Sequence, residues 1–275
     1  MEKKNQTLHY FILSDSIGET AQKVARAALV HFPSAKTVLH KYTFISNIEK
    51  IDEIIHDAVK YDGLLFMTIA NSELASYVEA KCIETGLICY NLIQPFTLEI
   101  ERRLGVNPTS LAGAQHELSD EYFDRIEAME FCMKYDDGKD PKGIGEAEIV
   151  LLGISRTGKT PLSMYLATLG YKVCNLPLIP ENDLPSIVFE INKNKIIGLT
   201  NNIEVVNKHR EIRMLEYGIP KGSRYASENR VKQELDYADE VYRTLGCPVI
   251  NVADRSIEET AHIISEIMKL TPHAF

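Results

Sequence analysis

The sequence has few of the residues that build disulfide frameworks and metal centres. Its 275 residues include five cysteines and eight histidines, with no C-x-x-C pair and no H-x-x-x-H pair. An odd number of scattered cysteines indicates reduced thiols, so we expect a cytoplasmic protein without structural disulfides. A structural metal site, which needs closely spaced ligands, is not predicted.

Basic clusters and long apolar runs are also missing. The formal net charge is −9 and the sequence pI is about 5.5. Because nucleic-acid-binding proteins carry basic patches, we expect no nucleic-acid partner. No apolar run approaches the ~20 residues of a membrane-spanning helix, and the N-terminus has no signal-peptide pattern, so no membrane partner is expected.

The most specific motif is a glycine-rich segment between a predicted strand and a predicted helix. Residues 153–160 match the pattern G-x-x-x-x-G-K-[ST]. The apolar run at 147–152 is typical of a buried parallel strand, and residues at helical spacing follow the motif. Glycines let successive N–H groups point at phosphate oxygens, and the helix start adds a positive dipole. The segment therefore predicts a phosphate-binding loop.

Positions within this loop have predicted roles. The residues predicted to bind nucleotide phosphates are Gly153, Ile154, Ser155, Arg156, Thr157, Gly158, Lys159 and Thr160. Lys159 brings positive charge to the terminal phosphates, and the Thr160 hydroxyl group is placed to ligate Mg²⁺. Arg156 is expected to neutralise phosphate charge like an arginine finger; its structural alternative is a salt bridge with a local acid.

The sequence does not assign the second Mg²⁺ ligand. No apolar strand after the loop ends in the aspartate that usually supplies it. The remaining candidates are Asp136, Asp137, Glu181 and Asp183. Asp136 and Asp137 lie in a turn just upstream of the phosphate-loop strand. We predict that they bind Mg²⁺ or accept a proton from a substrate hydroxyl group, and a solvated turn without function is the alternative.

Strands and helices alternate on both sides of the motif. Four predicted strands precede residue 105, and a second series begins at the phosphate-loop strand. This alternation predicts an α/β fold with parallel sheets. We expect an N-terminal parallel α/β domain over residues 1–105, a helical connector over 106–144 and a C-terminal P-loop kinase-like α/β domain over 145–275.

A polar segment, Ser14-Asp15-Ser16, follows the first predicted strand. In parallel sheets, ligands gather at the carboxyl ends of the strands. Two interpretations stay open for this segment. Ser14 or Ser16 caps the next helix, with Glu19 as the capping-box partner of Ser16, or the segment contacts a ligand or a partner.

Four segments spread over most of the chain carry a family resemblance: 14–21, 135–138, 153–163 and 175–181. Together they resemble the pyruvate, phosphate dikinase regulatory proteins, which are bifunctional kinases and phosphorylases. The core Ser-Arg-Thr-x-Lys-Thr-Pro-Leu-Ser is highly specific. A sister branch acts on phosphoenolpyruvate synthase, but its N-terminal motif reads more like Ser-Asp-Gly-Thr-Ala, which favours the dikinase branch.

The resemblance implies an unusual pair of reactions. ADP, not ATP, donates phosphate to a threonine of pyruvate, phosphate dikinase, and inorganic phosphate removes it as pyrophosphate. The expected enzyme is thus an ADP-dependent serine/threonine protein kinase and a phosphate-dependent phosphorylase, with Mg²⁺ as a further expected cofactor. Its expected catalytic residues are Lys159, Asp136, Asp137 and Arg156. The dikinase is the expected protein partner, and a homodimer is left open.

Two other classes of function stay open. One is a small-molecule P-loop kinase, which shares the loop and an arginine-bearing helix such as the one that carries Arg210 and Arg213. The other is a non-catalytic nucleotide sensor that binds a partner. The first predicts ATP turnover with a metabolite alone, and the second predicts nucleotide-dependent partner binding without phosphoryl transfer.

Overall fold

The alternating apolar runs form two β-sheets, and both sheets are parallel throughout. The computed structural model describes residues 7–109, 111–113, 120–218 and 224–270. The chain divides into two units, Met1–Glu117 and Leu118–Phe275, and each contains one four-stranded sheet. The predicted α/β fold class is confirmed.

The first unit has the sheet order β2-β1-β3-β4. Its strands are β1 (Leu8–Ser14), β2 (Thr37–Tyr42), β3 (Leu64–Thr68) and β4 (Ile88–Asn91). Its helices are α1 (Glu19–Leu29), α2 (Ile48–Lys60), α3 (Ser72–Thr85) and α4 (Gln94–Leu104). Helix α4 is not among the elements singled out from the sequence. Pro95 lies in the first turn of α4, where a proline is tolerated because the N–H that it lacks has no helical partner.

The predicted capping of α1 by Ser14 or Ser16 is wrong. The N-cap of α1 is Gly18, which adopts a left-handed conformation, and no side chain caps the helix. The Ser14 hydroxyl group instead donates a 3.0 Å hydrogen bond to the carbonyl group of Thr68. Ser14 therefore ties the end of β1 to the end of β3. Helix α2, in contrast, has a side-chain cap, since Asn47 accepts a hydrogen bond from the Lys50 N–H group.

The second unit has the equivalent sheet order, β6-β5-β7-β8. Its strands are β5 (Ile149–Gly153), β6 (Val173–Pro177), β7 (Ile196–Thr200) and β8 (Val249–Asn251). Its helices are α5 (Asp120–Lys134), α6 (Lys142–Glu146), α7 (Lys159–Thr168), α8 (Ile187–Glu190), α9 (Ile203–Glu216), α10 (Glu228–Leu245) and α11 (Ile257–Met268). Among the described residues, no helix is long and apolar enough to cross a membrane.

Helix α5, which the sequence analysis placed in a connector, packs within the second unit. Its Ala128 and Cys132 are buried in one cluster with Ala167 of α7. Other parts of the predicted connector, Ser110 and residues 114–119, lie outside the described residues. Helix α5 ends just before the acidic turn that the sequence predicts to be functional.

Strand β5 is central to its sheet and buried on both faces. Val150 and Leu152 belong to one apolar cluster, whereas Ile149 and Leu151 belong to another. This two-sided burial explains why the sequence of β5 is a continuous apolar run and not an alternating one. The glycine-rich loop follows the carboxyl end of this strand, and its base is thus fixed in the core.

Helix α6 provides a test of the packing next to the acidic turn. A Cβ atom at Gly143 would lie 2.3 Å from the buried Tyr135 ring, whereas one at Gly145 would lie 3.2 Å from the terminal methyl group of Ile187. We expect Gly143→Ala to lower the free energy of unfolding by about 1–3 kcal/mol through overpacking. The control, Gly145→Ala, should change it by less than about 1 kcal/mol. Denaturant unfolding measures both values, and equal effects would contradict this packing.

Candidate active site

The glycine-rich loop connects β5 to α7, so the strand–loop–helix context predicted for it is present. Two glycines are required sterically. Gly158 has a φ of 76° at the N-cap of α7, a left-handed conformation that glycine adopts without strain. A Cβ atom at Gly153 would lie 2.6 Å from the Thr157 hydroxyl oxygen and 3.0 Å from the carbonyl oxygen of Leu199.

Arg156 occupies a strained position in the middle of this loop. Its φ of 75° is uncommon for a residue with a side chain, and such strain is found at functional sites. The loop is held partly by Thr157, whose hydroxyl group donates to the Ile154 carbonyl group at 2.9 Å. The Nε group of Arg156 is buried and has no hydrogen-bond partner among the described residues. The alternative predicted for Arg156, a salt bridge with a local acid, is not found within the described ranges.

Lys159 is buried at the start of α7, with 6% of its surface exposed. Its ammonium group donates a 3.0 Å hydrogen bond to the carbonyl group of Ile154. Burial lowers the pKa of Lys159 to about 8, although the nearby charges of Asp137 and Asp136 act in the opposite direction. A desolvated cation at this position would interact strongly with an anion that enters the loop.

The loop borders a cavity of about 1080 Å³ at the carboxyl edge of the second sheet. The basic side chains that line it are Arg156, Lys159, His209, Arg213, Arg230 and Arg255. The acidic side chains that line it within the described ranges are Asp136, Asp137 and Glu234. Arginines and the lysine outnumber the carboxylates, so the cavity suits an anionic ligand.

The acidic turn upstream of β5 also lies beside the glycine-rich loop. Asp136 accepts a hydrogen bond from the Thr160 hydroxyl group at 3.1 Å. Asp137 has a left-handed φ of 54° and lines the cavity with an exposed carboxylate. The residues predicted for acid–base or metal chemistry therefore meet the residues predicted to bind phosphate in space.

Asn175 holds this turn in place and was missed by the sequence analysis. This fully buried residue lies in the middle of β6. Its amide nitrogen donates to Asp136 at 2.8 Å and to Ser163 at 3.1 Å, while its oxygen accepts from the Asp137 N–H group at 3.2 Å. The signal that could have revealed it is a lone amide side chain inside a buried apolar strand.

Asp136 and Thr160 form a suitable pair of ligands for Mg²⁺. Carboxylate and hydroxyl oxygens are hard ligands, and Mg²⁺ often takes only one or two from the protein and the rest from phosphates and water. The other two predicted candidates are placed differently: neither Glu181 nor Asp183 lines the cavity. Glu181 instead forms a salt bridge with Arg230.

Arg210 has a supporting position. Its side chain is fully buried, and it pairs with Glu234 at 2.5 Å. It also donates hydrogen bonds to the carbonyl groups of Ser155, at 3.3 Å, and Tyr225, at 2.9 Å. Arg210 thus anchors the glycine-rich loop from behind, whereas Arg213 of the same helix faces the cavity.

The segment Ser14-Asp15-Ser16 lines a cavity of about 610 Å³ within the first unit. One carboxylate oxygen of Asp15 accepts hydrogen bonds from the N–H groups of Ala70, at 2.7 Å, and Asn71, at 3.1 Å. Asp15 therefore satisfies donors that precede α3, and a ligand or partner for the segment stays a prediction.

Comparison with known proteins identifies the family. Residues 10–265 match the family described as kinase/pyrophosphorylase. The chain belongs to this family. It is 44% identical to a protein of Enterococcus faecalis over 96% of either chain. It is 45% identical to one of Clostridioides difficile, over 96% of this chain and 95% of the relative. A protein of Lactobacillus acidophilus is 44% identical over 99% of this chain and 98% of its own.

These three relatives carry the name pyruvate, phosphate dikinase regulatory protein. The family resemblance deduced from the four sequence segments is confirmed. Membership of a kinase/pyrophosphorylase family supports a phosphotransferase activity for the chain, and the cavity beside the glycine-rich loop is its candidate active site.

The burial of Lys159 leads to a prediction about stability. The pKa of the ammonium group is about 8 in the folded chain and about 10.4 in the unfolded chain. Below the folded pKa the lysine is charged in both states, so the folded state bears the full cost of burying the charge. Between the two pKa values the unfolded state binds more protons, and stability therefore rises with pH.

We expect Lys159→Met to raise the free energy of unfolding at neutral pH by up to roughly 3 kcal/mol, because no ammonium group is buried. The gain should shrink as the pH rises from about 8 to about 10.4, as measured by denaturant unfolding at each pH. Lys172→Met is the control, because Lys172 pairs with Glu127 near the surface and should show no such gain. A gain that does not vary with pH would contradict this explanation.

Proposed function

We propose that the chain is an ADP-dependent kinase and a phosphate-dependent phosphorylase that acts on a threonine of pyruvate, phosphate dikinase. The observation that carries the proposal is the meeting of Lys159, Thr160 and the Asp136–Asp137 turn at one cavity. The names of the relatives support the choice of the protein substrate.

The two acids are proposed to have separate roles because their contacts differ. The Asp136 carboxylate is tied to Thr160 and Asn175, so we assign it to the metal side of the site. The exposed Asp137 carboxylate is assigned as the proton acceptor. Thr160 and Asp136 would hold a Mg²⁺ ion, which would supply neutralisation of phosphate charge when bound.

In the kinase direction, the threonine hydroxyl oxygen attacks the β-phosphorus of ADP. A new P–O bond forms as the bond between that phosphorus and the bridging oxygen breaks, and AMP leaves. The hydroxyl proton passes to Asp137. Lys159 and Arg156 stabilise the charge on the transferred group, so positioning and electrostatics account for most of the proposed catalysis.

In the phosphorylase direction, an oxygen of inorganic phosphate attacks the phosphorus of phosphothreonine. The P–O bond to threonine breaks, pyrophosphate forms, and the threonine oxygen regains a proton from the Asp137 carboxyl group. Inorganic phosphate thus stands where the α-phosphate of AMP stood in the first reaction. One anion-binding subsite can serve both reactions, which is consistent with a single basic cavity.

The same chemistry on phosphoenolpyruvate synthase is the alternative with the same residues. A small-molecule kinase is less well supported, because only one of the two arginines of the helix, Arg213, faces the cavity, whereas Arg210 is buried behind the loop. For a non-catalytic sensor, the strained Asp137 backbone and its exposed carboxylate would have no chemical use.

The deciding experiment mixes the chain with purified pyruvate, phosphate dikinase and, in parallel, with phosphoenolpyruvate synthase. Each mixture receives ADP labelled in the β-phosphate or, as a control, ATP labelled in the γ-phosphate. We expect label on a dikinase threonine, and labelled pyrophosphate after inorganic phosphate is added. Lys159→Ala, which removes the buried cation, should abolish both signals. Label that arrives only from the γ-phosphate of ATP would refute the donor, and label only on phosphoenolpyruvate synthase would refute the substrate.

The assignment of the proton acceptor has its own test. We expect Asp137→Asn to lower kcat by about 10²- to 10⁴-fold in both directions, with little change in ADP affinity. Asp140→Asn is the matched control from the same segment, since Asp140 does not line the cavity. Steady-state kinetics with calorimetric ADP titration separates the two effects. A variant at position 137 that turns over at the normal rate would refute the role.

A further inference from the structure

Arg230 of α10 lines the cavity, with 14% of its side chain exposed, and its guanidinium group has two different ends. Its Nε group donates to the Glu234 carboxylate at 2.8 Å. Its two Nη groups both donate to the Glu181 carboxylate, one of them at 2.7 Å. One cation thus contacts one buried acid and one exposed acid.

The Nε end is firmly held. Glu234 is buried, and it also pairs with the fully buried Arg210, which anchors the Ser155 carbonyl group. Removing either partner of such a buried pair would leave an uncompensated charge in the interior, which is strongly destabilising. The position of the Arg230 guanidinium group relative to the glycine-rich loop is therefore fixed through Glu234 and Arg210.

The Nη end pairs with the more exposed acid. The Glu181 side chain is 55% exposed, whereas that of Glu234 is 8% exposed, so water screens the contact with Glu181 more and replaces it more readily. The two parallel Nη bonds have the geometry that a guanidinium group also uses with phosphate. An anion that enters the cavity can thus replace Glu181 on the Nη groups without disturbing the Nε contact.

We propose that Arg230 is a further phosphate-binding residue of this cavity, and that Glu181 occupies its Nη groups until a phosphate group replaces it. The inference rests on the proposed function only in taking the ligand to be a phosphate. Glu181 then acts as an internal competitor that weakens the binding of inorganic phosphate and of ADP.

Calorimetric titration with inorganic phosphate, and separately with ADP, tests the proposal. Glu181→Gln should bind both ligands up to about fivefold more tightly, the equivalent of a surface salt bridge of about 1 kcal/mol. Arg230→Lys should bind both more weakly, because lysine cannot form the paired contact. In the Arg230→Lys background, Glu181→Gln should no longer tighten binding.

The matched control is Glu127→Gln, which breaks a surface salt bridge with Lys172 away from the cavity and should leave both affinities unchanged. Glu181→Asp keeps the charge and checks that the effect follows the carboxylate. If ADP binds the wild type normally and both Glu181→Gln and Arg230→Lys leave the affinities unchanged, this inference is overturned and the proposed function is not. Tightening by Glu181→Gln that persists in the Arg230→Lys background would also overturn it. Binding of phosphate but not ADP by the wild type would refute the proposed donor and leave the Arg230 test intact.

Discussion

The site depends on the amide side chain of Asn175. This one buried group connects the acidic turn before β5 with helix α7 after the loop, through its contacts with Asp136, Asp137 and Ser163. A buried amide with its hydrogen bonds made is stable, whereas each partner left unsatisfied costs about 1–3 kcal/mol. Since both the donor and the acceptor of Asn175 are used, an apolar side chain of similar size would leave the acidic turn without these hydrogen bonds to the sheet.

The sequence predicts the features of the site that depend on local patterns, but not those that depend on tertiary contacts such as the contacts of Asn175. The strand–loop–helix unit at 153–160 was predictable because its glycine spacing and apolar runs are local. The meeting of Asp136 with Thr160 was not, because it depends on contacts between residues far apart in the chain. A local pattern was also misleading in the first unit. The spacing of Ser16 and Glu19 fits a capping box, but α1 begins at Glu19 itself. The Ser14 hydroxyl group has a tertiary partner instead, the carbonyl group of Thr68.

The site concentrates features that reduce stability. Lys159 is buried as a cation, and Arg156 and Asp137 hold left-handed backbone conformations. Each of these is unfavourable in a folded chain, and they persist only because surrounding contacts fix them. Their clustering at one cavity argues for a function that needs prearranged charge, since a turn or loop without function would be under no such constraint.

Prearranged charge also bears on how one cavity could serve the two proposed reactions. In that proposal, the transferred phosphoryl group carries similar charge whether it leaves ADP or phosphothreonine, so the same cations would stabilise both transition states. The direction would then be set by what occupies the neighbouring anion subsite, a nucleotide or inorganic phosphate. A basic group whose partner can change from an internal carboxylate to a phosphate is suited to such a subsite. It binds each anion without making the release of that anion slow.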